Sequence, residues 1–169
     1  MDLIERLVGH DRWTTSEILR RCRELSDAQL DQEVYIDHRT VRATLAHMIW
    51  NVETWTDLML GVSIDRGIER SETLDGLTER HQYAGERFDG LARRIADENR
   101  LEETWTDVLD TPPTQKSYGG AIAHVITHNM HHRAQLLYML DTLGVKGWPE
   151  GDLLGWEMNY RFQTTAATD

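Results

Sequence analysis

The stretch HVITHNMHHRAQ, residues 124–135, decides how the fold of this chain is interpreted. It holds four of the eight histidines in the chain: His124, His128, His131 and His132. The stretch lies in a proline-free run that Ser117 can cap and Gly144 can end, which predicts a helix from Tyr118 to Leu143. On a helix, residues four apart lie about 6 Å from one another on one face, so two imidazoles at that spacing can bind one ion.

Two pairs have this spacing, His124 with His128 and His128 with His132. The apolar pattern favours the second pair, because it shares a helix face with Val125, Leu136, Met139 and Leu143. The other two histidines align with Gln135, Tyr138 and Thr142. His124 and His132 are about 12 Å apart along the helix axis, so all three cannot easily bind one ion. A third ligand is therefore expected from another helix.

Further helices are predicted along the chain from apolar side chains at helical spacing and from capping residues. Three of them are long: Leu3–Leu25, Thr40–Gly61 and Ser71–Asp97. Ser26 to Gln29 has the spacing of a capping box and predicts a short turn. Residues 99–116 contain Pro112-Pro113, which exclude a continuous helix, and are expected to form a long connection with an extended segment at 104–108. A packed helical piece is expected from Leu153 to Tyr160.

Four long helices predict an all-α fold, a four-helix bundle with a long crossover connection and a short C-terminal extension. The length of 169 residues and a hydrophobic content of 40% fit one domain with a full core. We expect this domain to span residues 1–169, with the bundle at about 1–145 and the extension at about 146–169.

The net charge and the cysteine content restrict the partners and the metal ligands that the chain can have. The chain has 18 Lys and Arg against 29 Asp and Glu, a formal net charge of −11, which disfavours nucleic acid as a partner. It lacks a long apolar run and a basic N-terminal region, so we expect no membrane partner and a cytoplasmic location. Cys22 is the single cysteine, so any metal must be bound by histidine or carboxylate.

His47 is the best candidate for the third ligand, because it lies in the apolar stretch Leu45–Trp50 of another predicted helix. A histidine standing alone there would more often be an inert, hydrogen-bonded core residue, and the inward pair on the other helix shifts the balance toward a ligand. Three neutral histidines without a carboxylate would leave coordination positions open, as in catalytic metal sites, and imidazole ligands best fit zinc or nickel.

The spacing His124-x3-His128-x2-His131-His132-Arg133-Ala134-Gln135 resembles the signature of the DinB/YfiT-like superfamily. His10-Asp-Arg-Trp13 and Thr44-Leu-Ala-His47 followed by Trp55 resemble the motifs of its first two helices, and the likeness covers most of residues 1–145. The resemblance implies a bundle in up-down-down-up order, frequent dimers and a divalent metal held by three histidines. The matching motifs place those ligands on His47, His128 and His132. Ala134 departs from the glycine that is common there.

The resemblance also implies a function, since some superfamily members are thiol-dependent S-transferases or isomerases. We therefore expect a metal-dependent enzyme that uses a low-molecular-weight thiol on small electrophiles, and a homodimer. The alternatives are a non-catalytic dimeric metal-binding protein with a stress or interaction role, and a metal-dependent hydrolase. The sequence assigns no catalytic or cofactor-binding residue.

Other residues receive plainer interpretations. Arg133 and Gln135 are expected in salt bridges or helix contacts, and Cys22 as an idle thiol. Glu53 and His131 are possible acid or base groups near the metal. Three tryptophans could line a pocket near His47: Trp13, Trp50 and Trp55. Three histidines are expected to be isolated on the surface: His10, His38 and His81.

Overall fold

The computed structural model describes residues 2–64, 73–147 and 151–158. Its elements in chain order are α1 (Leu3–Cys22), α2 (Asp27–Leu30), α3 (Val41–Leu60), α4 (Leu74–Asp97), β1 (Thr104–Asp107), β2 (Thr114–Ser117), α5 (Tyr118–Thr142) and α6 (Leu153–Trp156). The four long helices are α1, α3, α4 and α5, so the predicted all-α bundle is confirmed.

The helix ends follow the capping signals in the sequence. Ser26 and Gln29 form the predicted capping box at α2, and the Thr40 side chain accepts a hydrogen bond from the backbone of Ala43 at the start of α3. Gly61 ends α3 with a φ of 66°, a left-handed conformation that glycine adopts without a steric penalty. Ser117 caps α5 through the backbone of Gly120.

Some predicted helix boundaries differ from the structure. The first helix ends at Cys22 instead of Leu25, because the chain turns there into the cap of α2. Thr73 caps α4, whereas the predicted start at Ser71 lies outside the described residues. The α-helical part of the last piece is Leu153–Trp156, and its predicted end at Tyr160 also lies outside the described residues.

Two stacked hydrophobic clusters show the direction of each long helix. The first cluster contains the C-terminal part of α1, the N-terminal parts of α3 and α4, and the C-terminal part of α5: Ile18, Leu19, Val41, Leu45, Leu77, Leu136 and Leu140. The second contains the opposite ends of the same helices: Val8, Leu58, Met59, Phe88, Ile95, Ala121 and Ile122. The helices therefore run up, down, down and up, as the family resemblance implied.

This order determines which connection crosses the bundle. Since α3 and α4 are parallel neighbours, the end of α3 at Leu60 and the start of α4 at Leu74 lie at opposite ends of the bundle. The long connection predicted at 99–116 instead joins adjacent ends of α4 and α5. It contains an antiparallel pair of strands, in which Thr104 pairs with Ser117 and Asp107 pairs with Thr114. The extended segment was predicted, but its partner strand was not.

The remaining packing closes the bundle. α1 and α5 lie side by side, and α6 packs against α1. Within the described ranges, we find no helix with the length and apolar character needed to cross a lipid bilayer.

Candidate metal centre

Three predicted ligands meet where the N-terminal half of α3 faces the middle of α5. The Nε2 atoms of His47 and His128 are 3.0 Å apart. The His132 ring lies with its centroid 4.8 Å from that of His47 and 4.5 Å from that of His128. His132 is buried, whereas His47 and His128 are half-buried. The structure thus brings all three side chains into one cluster that solvent can reach from one side.

A fourth histidine joins this cluster, and the sequence interpretation missed it. His38 was expected to be an isolated surface residue, but its ring centroid lies 4.0 Å from that of His47 and 5.2 Å from that of His132. It precedes α3 on a loop, where no helical periodicity shows the direction of a side chain. Only the return of this loop over α5 places His38 beside the other rings.

Ligand atoms converge in two sets of three among the residues that the structure describes. In each set, one ligand atom per residue lies within 4.8 Å of the other two. The first set is His38, His47 and His132, and the second is Asp37, His131 and His132. The predicted triad of His47, His128 and His132 is not one of these two sets, and His128 joins the cluster only through its 3.0 Å contact with His47.

The donor set fits a divalent ion of the first transition row. Two imidazole nitrogens bound to one ion at roughly 2.0–2.1 Å stand about 3.0–3.4 Å apart at the usual bond angles. The His47 to His128 separation of 3.0 Å already matches that range. The residues that could hold the ion are therefore imidazole donors, with Asp37 as a nearby carboxylate.

Gln135 orients the buried ligand His132. The Nδ1–H of His132 donates a hydrogen bond of 2.7 Å to Oε1 of Gln135, because an amide oxygen can only accept. The same amide donates through Nε2 to Asp37 Oδ2 at 3.3 Å and contacts His131 Nε2 at 3.1 Å. With the proton on Nδ1, Nε2 of His132 keeps its lone pair for a metal. Sequence reasoning assigned Gln135 only a helix-contact role.

The cluster favours neutral imidazoles. Burial lowers the pKa of His128 to about 4, and the neighbouring His132 and His47 add to the shift. Burial also lowers the pKa of His132, against the opposing hydrogen bond with Gln135. A neutral imidazole is the form that binds a metal, so these side chains are in the ligand form at pH 7.

The possible acid and base groups are otherwise occupied or peripheral. Glu53 accepts a hydrogen bond of 3.1 Å from Arg80 Nε on α4 and so forms an interhelical ion pair. His131 is exposed, with its ring 5.3 Å from that of His132. The ring centroid of His124 lies 4.7 Å from that of Trp55, with the two planes tilted, and 5.4 Å from that of His128.

The tryptophans do not form one wall around His47. Trp50 lies at the cluster, with its ring 6.2 Å from the ring of His47. Trp13 lies instead near His10, on the side of α1 where a cavity of about 60 Å³ is lined by Trp13, Thr14, Glu17, Ile18, Arg133, Leu137 and Gly151. The prediction for Trp13 was wrong because α1 packs on the other side of α5 from α3.

The predictions for His10 and His81 also need correction. Nε2 of His10 lies 2.7 Å from the carbonyl oxygen of Gly151, so this half-buried ring holds the C-terminal segment. His81 is only 7% exposed and contacts Ser16 Oγ at 2.9 Å. Its buried neighbours on α4, Leu77 and Ala84, stand at helical spacing from it, so periodicity could have identified His81 as a core residue.

Arg133 and Cys22 have the roles predicted from the sequence. The Arg133 guanidinium donates to the Asp11 carboxylate, and the two buried side chains connect α5 with α1. Cys22 is fully buried, and burial raises the pKa of its thiol to about 12. This thiol is therefore protonated at neutral pH and inert.

A comparison with protein families agrees with this architecture. A comparison with curated proteins finds no matching relative. The model of the DinB family matches residues 2–154, which is most of the chain. Together with the up-down-down-up bundle and the histidine cluster, this match shows that the chain belongs to the DinB family.

Proposed function

We propose that this protein is a metal-dependent enzyme that transfers a low-molecular-weight thiol to small electrophiles, or isomerises them with its help. The observation that carries the proposal is the convergence of His47, His128 and His132 from two helices into one cluster. In the proposal these three imidazoles hold one divalent ion, and zinc and nickel suit them best.

The cluster is partly open to solvent, since His47 and His128 are half-buried, and this supports access by a small molecule. The loop before α3 borders an open cavity of about 230 Å³, lined by Tyr35, Ile36, Asp37 and Arg39. The ring of Tyr35 is fully exposed at this edge. A divalent ion bound here would lower the pKa of a coordinating thiol and so supply a thiolate nucleophile at neutral pH.

The residues of the chain would position the ligands and exclude competing protons. Gln135 holds His132 in the tautomer that leaves the lone pair of Nε2 available to an ion, and burial keeps His128 neutral. Water in place of the thiol would make the same site a hydrolase. For the compartment we propose the cytoplasm, on the basis of a composition with a single, buried cysteine.

Metal analysis and single substitutions test the ligand set. The purified wild-type protein should contain about one divalent ion per chain, because one cluster of three histidines converges. His128→Ala and His132→Ala should lose most of the metal, whereas the matched control His124→Ala should keep it, because His124 packs against Trp55 outside the set. Unchanged metal content and affinity in both ligand variants would contradict the assignment.

Activity is tested separately on the metal-loaded protein. A panel of low-molecular-weight thiols crossed with small electrophiles should give turnover that disappears in His132→Ala. Turnover that persists at the wild-type rate after removal of the metal would contradict the metal-dependent mechanism.

A second candidate function is a non-catalytic metal-binding protein with a stress or interaction role. The position of His38 favours it, since a fourth imidazole close to the other ligands can complete a closed, structural coordination sphere. Absence of turnover across the panel, with the metal tightly bound, would support this candidate over the enzyme.

We also propose that the protein forms a homodimer. The outer face of α5 exposes three large apolar side chains that a second copy could cover: Met130, Leu137 and Tyr138. Sedimentation velocity of the metal-loaded protein should show a dimer at micromolar concentration. A single monomeric species at tens of micromolar would contradict the proposal.

A further inference from the structure

The loop that carries His38 has an unusual backbone conformation. Asp37 and Arg39, the residues on either side of His38, have φ values of 28° and 67°, in the left-handed region that L-residues with side chains rarely adopt. Four backbone hydrogen bonds hold this turn: Val34 N to Arg39 O at 2.6 Å, Ile36 N to Val34 O at 2.7 Å, Arg39 N to Ile36 O at 2.7 Å and Thr40 N to His38 O at 2.8 Å. Unfavourable conformations of this kind persist where the surrounding structure enforces them, and they concentrate at functional sites.

The consequence of this turn is the direction of one imidazole. His38 is directed toward α3 and α5, and its side chain is only 23% exposed. One of its ring nitrogens lies within 4.8 Å of a ring nitrogen of both His47 and His132. Side-chain rotations that move these nitrogen atoms by about 1 Å would bring them to separations of roughly 3.0–3.4 Å. Donor atoms bound to the same ion have separations in this range.

We propose that His38 is a fourth ligand of the metal ion and a displaceable one, so that an incoming small-molecule donor must replace it. The inference rests on the proposed function, in which His47, His128 and His132 hold the ion. His38 would be a ligand from outside these two helices, and its displacement would limit the access of a small molecule to the ion.

The elements that carry the ligands explain why His38 would be the one to leave. His47, His128 and His132 belong to long helices packed on both sides, so their positions are set by the bundle core. His38 belongs to a short turn whose neighbours Asp37 and Arg39 are exposed. An open cavity of about 230 Å³, lined in part by Asp37 and Arg39, leaves this turn without packing along that side.

The first test measures the affinity for Zn²⁺ and Co²⁺ by competition with a chromophoric chelator. His38→Ala should raise the Kd for both ions by about 10- to 100-fold or more. Mutation of a residue that only hydrogen-bonds to a metal ligand already lowers metal affinity by that factor. His124→Ala is the matched control, because it removes an imidazole of α5 that lies outside both sets of converging ligand atoms. Its Kd should stay within about twofold of the wild-type value, a change of under half a kcal/mol by the usual conversion.

The second test uses free imidazole as the probe for an open coordination position on the Co²⁺-loaded protein. Imidazole should change the visible spectrum of the His38→Ala protein at concentrations at least about tenfold lower than those needed with the wild-type protein. The reason is that His38 competes with imidazole for the ion in the wild-type protein. Equal imidazole affinities of the two proteins would overturn the proposal.

Further results separate the ways in which the idea can fail. Circular dichroism of the metal-free variants establishes that they are folded, and His38→Gln serves as a second variant that also lacks an imidazole. If His47→Ala and His132→Ala lose the metal but both His38 variants bind it as tightly as wild type, the fourth ligand is wrong and the proposed function stands. If the wild-type protein binds no ion, the proposed function itself fails.

Discussion

At the scale of single residues, His81 shows how burial changes the chemistry of a histidine. The ring lies between α4 and α1, next to Ser16 and the carbonyl oxygen of Arg12. Burial lowers its pKa to about 4, although the hydrogen bond with Arg12 opposes the shift. His81 is therefore neutral in the folded protein over a pH range in which an unfolded chain would carry a proton.

The stability of the metal-free protein should consequently depend on His81 below neutral pH. As pH falls from about 6.5 to about 4, the unfolded chain binds a proton that the folded chain does not, which lowers the free energy of unfolding by about 3 kcal/mol in total. His81→Gln should remove this contribution and flatten the pH dependence. Urea unfolding at several pH values between 4 and 7 in the presence of a chelator measures the difference.

The control for this prediction is His131→Gln, because His131 is exposed. That variant should keep the wild-type pH dependence. The prediction is wrong if His81→Gln loses as much stability between pH 7 and 4 as the wild type does.

Gln135 affects metal binding through its hydrogen bond with His132 and does not bind the ion itself. Gln135→Leu should leave the His132 ring without its acceptor and raise the Kd for Zn²⁺ by about 10- to 100-fold. Gln135→Glu retains an acceptor for Nδ1–H and should bind the metal nearly as well as wild type. Chelator competition measures both, and equal affinity of the leucine variant and wild type would exclude the positioning role.

At the scale of elements, a buried ionic network connects the parallel helices α1 and α5. Asp11 is 5% exposed and Arg133 is 7% exposed, and the Asn129 amide donates to Asp11 Oδ2 at 3.0 Å. Burial raises the pKa of Asp11, against the opposing charge of Arg133 and the hydrogen bond from Asn129. The ion pair is thus what makes a charged carboxylate tolerable between these helices.

Removal of one partner should be costly for this reason. Arg133→Met leaves Asp11 buried without a counter-charge and should lower the free energy of unfolding by about 3–5 kcal/mol. The double variant Asp11→Asn, Arg133→Met should lose less than Arg133→Met alone, because it buries no charge. Urea unfolding at pH 7 compares them.

Arg93 offers a matched control on the surface. It pairs with Asp89 at 2.7 Å, and its side chain is 46% exposed. Arg93→Met should cost less than about 1 kcal/mol, as is typical of exposed ion pairs. A similar loss in Arg133→Met would mean that the buried pair is not the source of the stability.

At the scale of the whole molecule, the hydrophobic core of the bundle and the metal centre occupy different parts of the structure. The two hydrophobic clusters run along the bundle, whereas the histidine cluster lies to one side of the first, between α3 and α5. The core of Leu, Ile, Val, Met and Phe needs no ion to exclude water. The metal should therefore add stability to a bundle that is already folded.

Removal of the ion by a chelator at pH 7 should lower the melting temperature without loss of helical circular dichroism. The stabilisation lost is about 2.7 kcal/mol if free metal stood at 100 times its Kd, which is less than the roughly 5–15 kcal/mol typical of folded domains. His128→Ala, treated in the same way, should show little further change. Complete unfolding on chelation would instead identify the ion as a structural requirement of the fold.

Local patterns in the sequence determined much of the fold and part of the site. The capping residues Ser26, Thr40 and Ser117 set helix starts through short-range hydrogen bonds that depend only on neighbouring residues. The four-residue spacing of His128 and His132 placed both rings on one face of α5 for the same reason. Family resemblance supplied the order of the helices, which helical periodicity does not contain.

Other features of the protein result from contacts between residues that are far apart in the sequence, and only the tertiary structure determined them. The pairing of β1 with β2 and the burial of Arg133 against Asp11 depend on contacts that no local spacing in the sequence specifies. The hydrogen bond between His132 and Gln135 is local by contrast, since the two residues lie three apart on α5. His38 is the clearest case, because an imidazole on a loop has no periodicity to reveal its direction. Its place beside His47 results from the turn at residues 34–40 and its packing over α5, since a side chain outside regular structure is positioned by whatever the fold brings against it.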